Sequence, residues 1–352
     1  MDTASLRRRQ LLLAGGGAAV LAGSGVQVHA FRSPEISQID IMLDGAPQLR
    51  HVPLYLAQSL GFFEQEQLQV RLTTAPTMAH TLEQQAGLRS DVFVGSFERV
   101  LYMHAQGLPS QAFFMLTKSP GVVLGVQSHL IPGVQQVDGV AELKGLRWAA
   151  GPEGGLTHRI ALLSLQRLGL RSADVQWSHH ALHADVVRQF EAQQVDVACL
   201  NDMAATQLER SGQFRVLLDT RTQRDTEWLF SGAAAGMSLS AAPAFIERNP
   251  QTIQATTQAV LKALLWMRTA TPTDLTRHVP AGLLDRDAVV FFDAWARARE
   301  SLSSDGVFPD GAALNMLKSL SRLQLITDAG SVNPSQTFNN RFAIRSRQQL
   351  RA

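Results

Sequence analysis

The sequence predicts an α/β protein made of two successive strand–helix series and closed by a long helical tail. Three observations carry this. Short apolar runs alternate with helical patterns from residue 39 to residue 218. Strands alternating with helices of this length imply βαβ units and a largely parallel sheet. Beyond residue 238 the helical patterns continue with little strand among them.

In the first series, residues 39–43 read as a strand and residues 53–66 as a helix opening on Pro53. Proline suits a first helical turn because its missing N–H has no partner there anyway. Residues 68–72 alternate apolar and polar and read as a second strand. A helix over 78–88, a strand over 91–94 and a helix over 98–105 follow. Strands over 112–116 and 121–126 then flank a turn at Ser119-Pro120.

The second series repeats the order. Residues 146–150, 175–178, 195–200 and 214–218 read as strands. Helices fill 157–168, 184–193 and 203–209, and Gly169 stops the first of them. The tail reads as helices over 243–248, 250–269, 285–302 and 310–323, with Asn249-Pro250 a good helix start. Lacking strands of its own, the tail is expected to pack on the first lobe. Lobe 1 is then residues 31–127 plus 231–352, and lobe 2 is an insertion over 128–230. Crossings are expected near Gln127 and Ser231.

Composition narrows the function. The chain is 45% hydrophobic and 18% charged, which is ordinary for a globular protein and provides a core. Its 32 basic and 30 acidic residues nearly cancel. Without the first 30 residues the count is 29 against 29, so nucleic acid is not an expected partner. Cys199 is the single cysteine, which excludes an internal disulfide and a cysteine-based zinc site. Within Val197-Ala198-Cys199-Leu200 it reads as a buried core thiol.

Residues 1–30 read as a signal peptide. Arg7-Arg8-Arg9 precede a short, glycine-rich apolar run, and Val28-His29-Ala30 offers a small-residue cleavage pattern. The apolar run falls short of the roughly 20 residues a spanning helix needs. Paired arginines followed by Gln10-Leu11-Leu12 resemble a twin-arginine signal. A soluble, periplasmic protein is expected.

Catalytic and metal motifs are largely missing. No phosphate loop ending in Lys-Ser/Thr and no Gly-x-Ser-x-Gly elbow occurs. His179, His180 and His183 cluster, but no acidic or cysteine partner has zinc-ligand spacing. Neither enzymatic activity nor a metal or other cofactor is expected.

Several segments, in order, carry a resemblance. They are Pro53-Leu54-Tyr55-Leu56-Ala57, Gly61-Phe62-Phe63-Glu64, Leu68-Gln69-Val70, Asp91-Val92-Phe93-Val94-Gly95, Leu143-Lys144-Gly145-Leu146-Arg147, Val195-Asp196-Val197, and Phe245-Ile246 with Asn249-Pro250. Over residues 39–323 the chain resembles the nitrate/sulfonate/bicarbonate, taurine-like family of periplasmic solute-binding proteins of ABC importers. The resemblance implies a type II periplasmic-binding fold, two α/β lobes with a ligand cleft between them. It implies a monomer that binds a small anionic solute and delivers it to a permease and an ATPase. Two other readings stay open: a thiamine-pyrimidine precursor binder or synthase on the same fold, and a periplasmic ligand sensor.

Ligands of open α/β sheets sit beyond the carboxyl ends of the strands. The loops so placed are residues 44–51, Ser96-Phe97-Glu98, the turn leading to His158, Asn201-Asp202, and the return crossing with Trp228. In the turn, Gly154 and Gly155 let a ligand approach the backbone, while Thr157 and His158 match the family's pattern. Free N–H groups at a helix start suit an anion. A plain connection with Thr157 as helix cap fits equally, and Ser96 has the same two readings. Asp44, Asn201 and Asp202 suit an amine or hydroxyl, or simply form turns. Trp228 and Phe230 either wall the cleft or pack.

Mass spectrometry of the exported protein is expected to find its start close to Phe31, and changing Arg8 and Arg9 to Lys is expected to block export. A full-length form kept in the cytoplasm would contradict the first expectation, and unaffected export the second.

Overall fold

The computed structural model describes residues 33–75, 90–108, 110–130, 140–284, 287–326 and 328–351. The expected signal peptide of residues 1–30 and the helix expected over 78–88 lie outside these. No described helix is long and apolar enough to cross a membrane.

Ten strands are present among the described residues: β1 (Gln38–Leu43), β2 (Gln69–Thr74), β3 (Val92–Ser96), β4 (Gln111–Met115), β5 (Val122–Gln127), β6 (Arg147–Ala150), β7 (Gln176–His179), β8 (Val197–Asn201), β9 (Phe214–Asp219) and β10 (Met237–Ala241). They form two five-stranded sheets, ordered β2-β1-β3-β10-β4 and β7-β6-β8-β5-β9. In the first, β1 runs parallel to β2 and β3, with Ile41 opposite Leu72 and Val92. β10 lies antiparallel between β3 and β4. The second sheet repeats the scheme: β6 is parallel to β7 and β8, and β5 lies antiparallel between β8 and β9. The fold is α/β, as expected.

β3, β5 and β10 are buried at every residue. Strands covered on both faces need continuous apolar runs, and Val122-Val123-Leu124-Gly125-Val126 is one.

The architecture differs from expectation in three places. β5 belongs to the second sheet, so the outward crossing runs through residues 117–121 and not near Gln127. Consecutive apolar strands usually neighbour one another, which drew the boundary too late. Here Pro120-Gly121 sends the chain to the other sheet. Secondly, β10 was read as the start of the helical tail. Its sequence, Met-Ser-Leu-Ser-Ala, is short and weakly apolar, yet it lies inside the first sheet. Thirdly, the tail covers more than the first sheet. The helix Pro250–Met267 packs on Val52–Ser59 and on the final helix Arg341–Arg351. The helix Ala288–Ala298 buries Phe291 and Trp295 in that same core but also packs on Asp202–Arg210. Its Asp293 and Arg297 pair with Arg210 and Glu209. The helix Ala312–Arg322 joins a core holding both Met115 and Trp148. A helix whose polar face still finds ionic partners is not confined to one lobe by its apolar stripe alone.

The two crossings are bonded to each other. Gly236 N–H donates to Thr117 O at 2.9 Å, and Met237 N–H to the Thr117 hydroxyl at 2.7 Å. A Cβ at Gly236 would overlap the Ser119 carbonyl oxygen and the Thr117 hydroxyl. Urea unfolding of Gly236→Ala is therefore expected to show a loss of about 3 kcal/mol, as for overpacking against backbone. Gly282→Ala, with nothing within 4 Å of the new atom, should stabilise its helix by up to about 1 kcal/mol. Equal effects would contradict the packing account.

Candidate functional site

The carboxyl ends of the parallel strands feed helix starts that carry ionisable side chains. β1 leads to Asp44 and the 3-10 turn Leu49–His51. β3 leads through Ser96 to Phe97–Ala105, whose first turn holds Glu98 and Arg99. β6 leads through Gly151 to Leu156–Arg167, with Thr157, His158 and Arg159 in its first turn. β7 leads to His183–Glu191 and β8 to Asp202–Arg210.

These ends face one another. Arg159, of the second sheet's helices, donates through Nε to Glu98 of the first at 2.7 Å. Arg50 acts electrostatically on both His183 and Asp202. A small cavity is lined by Arg50, Ser119, Gly121 and Asp202 on its polar side and by Trp295 and Leu302 on its apolar side.

Asp44 is the anionic centre. Burial alone would raise its pKa, but Arg50, the His51 hydrogen bond and Arg99 together hold it well below the usual carboxylate range. Its Oδ1 lies 3.4 Å from Arg50 Nη2 and 3.1 Å from His51 Nε2. Burial pushes the His51 pKa down, against the pull of Asp44. Burial likewise lowers Arg99, to about 10, with Asp44 opposing, so Arg99 stays charged at neutral pH.

Much of this polar set is unmatched. Among the described residues, Arg50 Nε, Arg99 Nε and Nη1, Glu98 Oε1, Ser119 Oγ, His183 Nδ1 and Asp202 Oδ1 are buried without a hydrogen-bond partner. Buried polar groups are normally paired, so a concentration of orphans marks a place where something else binds. Arg99 Nη2 donates to Ser240 Oγ at 3.3 Å.

The residues singled out from sequence fall into three groups. Glu98 and Asp202 belong to the buried interlobe set, and Ser96 is buried at the end of β3. Thr157, His158, Gly154, Gly155 and Asn201 chiefly build the loops. Thr157 Oγ1 accepts from Gly151 N–H at 2.9 Å, so it braces the turn and does not cap the helix. His158 Nδ1 accepts from Gly154 N–H at 2.9 Å. Gly154 has φ +70° and Gly155 is the helix N-cap. Asn201 caps its helix by accepting from Ala204 N–H at 3.1 Å. Phe97 and Trp228 lie elsewhere. Phe97 is core, 5.1 Å from the Phe308 ring, because it sits on the inward face of its helix. Trp228 is 40% exposed and lies under Arg167, at the far end of the helix whose start faces the cleft. Phe230 is fully buried in the core, so the return crossing supplies no aromatic wall. Arg99 was missed; a Glu98-Arg99 pair between Phe97 and Val100-Leu101 was the available signal.

Residues 48–273 match the NMT1/THI5-like family. The chain belongs to the NMT1/THI5-like family. A solved structure from Bordetella bronchiseptica RB50 is 30% identical, with a TM-score of 0.80, covering 91% of this chain and 100% of that one. The alkanesulfonate-binding protein SsuA from Xanthomonas axonopodis pv. citri, bound to MOPS, is 18% identical with a TM-score of 0.64, covering 87% and 99%. The periplasmic nitrate-binding protein NrtA from Synechocystis PCC 6803 is 13% identical with a TM-score of 0.66, covering 91% and 90%. This NMT1/THI5-like chain therefore has the fold of the solute-binding proteins of ABC importers.

His158 offers a check on the site's dryness. Burial, then His179, lowers its pKa to about 4. Its folded value lies below the unfolded one of about 6.5, so its contribution to stability is present above about pH 6.5 and lost as pH falls toward 4. An NMR titration is expected to show the ring protonating near pH 4. A midpoint near 6.5 would mean a solvated ring.

Proposed function

We propose that this chain is an exported, monomeric binding protein that takes a small anion of sulfonate or nitrate type between its two sheets and delivers it to the permease and ATPase of an ABC importer. One observation carries the reading: the guanidinium groups of Arg50 and Arg99 are buried beside Asp44 at the neighbouring helix starts that follow β1 and β3, with N–H groups unpartnered among the described residues. Glu98 and Arg159 neutralise each other, which leaves two guanidinium charges against Asp44. An anion supplies the acceptors these groups lack, and the helix starts add their free N–H groups. Leaving such donors unmet in a low-dielectric site is costly, so solute binding recovers that energy.

The sulfonate- and nitrate-binding neighbours and the export segment support the same reading. Purified mature protein is expected to melt at a higher temperature with ethanesulfonate or nitrate, since a ligand of the folded state alone stabilises it. By calorimetry, Arg50→Gln and Arg99→Gln should each weaken binding roughly 10- to 100-fold, the worth of a hydrogen bond to a charged group. Unchanged affinity in both would move the site. Stabilisation by a neutral pyrimidine and by no anion would favour the precursor-binding alternative.

A further inference from the structure

Asp202 stands out within the cleft because it is a buried acid with no ion pair among the described residues. It is 7% exposed, and its Oδ1 has no hydrogen-bond partner among the described residues. The nearby cations are engaged elsewhere. Arg221 is 2% exposed and holds Asp219 at 2.6 Å, Glu209 at 2.9 Å and the Thr206 hydroxyl at 3.3 Å. Arg50 lies against Asp44.

Among the described residues, the other elements around Asp202 form no ion pair with it. The outward crossing presents Thr117, Ser119 and Gly121, and a Cβ at Gly121 would lie 3.0 Å from Asp202 Oδ2. The tail presents Trp295, Ala298 and Leu302 to the same cavity, while its Asp293 and Arg297 face Arg210 and Glu209. His183 and His51 stand near Arg50 rather than against the acid. A carboxyl so placed keeps its proton, because the charged form would be dry and without an ion pair.

We propose that Asp202 enters binding as a neutral carboxyl that donates a hydrogen bond to the bound anion, so that solute capture depends on a proton. This rests on the anion reading above and deepens it: the residue selects a solute whose acceptor oxygen is unprotonated at neutral pH. Charge and hydrogen bonding act in one direction. Protonated Asp202 supplies a donor and leaves the two arginines in excess. Ionised Asp202 has no proton to give, and it repels the anion.

The sign follows. Burial raises the acid to about 7, against the lowering effect of Arg221 and Arg50 and with Asp219 adding to the rise. Affinity is therefore greatest below that value and falls as pH rises through it. His183 is pushed down to about 4 by burial and then by Arg50, and His51 is also lowered, so neither accounts for a change in this window.

The test has two arms. In protein labelled with 13C at the aspartate carboxyls, one signal should titrate near neutral pH and be absent in Asp202→Asn. Titration of every aspartate below about pH 5 would overturn the proposal. In calorimetry with ethanesulfonate and nitrate as probes, the wild-type protein should bind about tenfold more weakly at about pH 8 than at about pH 6. Asp202→Asn keeps a donor and cannot ionise, so it should bind equally at both. Wild-type binding that ignores pH, or an Asn variant that retains the dependence, would overturn this proposal and leave the anion reading standing. No binding of either anion at any pH would overturn both. Should the variant fail to fold, the carboxyl titration and the wild-type pH series decide alone.

Discussion

Each sheet is completed by the strand that follows a crossing. β5 leaves the first sheet's neighbourhood to lie between β8 and β9, and β10 returns to lie between β3 and β4. Both are antiparallel and fully buried; the second sheet is whole after one crossing, and the first only after the chain has crossed twice. The crossings are then pinned together through Thr117, Ser119 and Gly236. This exchange brings the carboxyl ends of both parallel sets to one region, and with them the helix starts that carry Arg50, Glu98, Arg159, His183 and Asp202. Without it the two strand–helix series would have no fixed relation.

That arrangement sets an energetic tension. The cores are dry and well filled, with Trp148, Phe113 and Phe230 fully buried. Between them lie buried groups whose hydrogen bonds are incomplete. Each unmet group costs about 1–3 kcal/mol relative to a satisfied one. The tail compensates in part by tying the sheets together through Arg210–Asp293 and Arg297–Glu209, although exposed pairs of this kind are worth little singly. A solute that matches the orphans releases the tension, which is how a binding protein distinguishes its loaded form from its empty one.

The sequence made the strand–helix alternation legible because apolar runs and helical periods are local signals. It did so for β1, β3, β6 and β8, each of which carries a short apolar run. It failed where the decision was long-range. Nothing within Val122–Gln127 says which sheet the strand will join, and Met237–Ala241 is too polar to announce a central strand. The site was legible to the level of loops: strand ends and glycine turns pointed to residues 44–51, Ser96, Gly154-Gly155 and Asn201-Asp202. Which side chain in a loop braces the backbone and which faces the cleft depends on tertiary contacts. Thr157 and His158 turned inward to satisfy Gly151 and Gly154, Trp228 turned outward, and Arg99, beside Glu98 at a helix start, is buried where an exposed charge would be expected.

The central claim is that one solute is held by both strand–helix units at once, through the orphaned groups between them. A crystal structure of the protein grown with a bound sulfonate tests it most directly. The account predicts the sulfonate oxygens within hydrogen-bond distance of Arg50 or Arg99 and of Asp202, with no solvent path between the helix starts. Solute held by one unit alone, or with Arg50, Arg99 and Asp202 all out of contact, would contradict it.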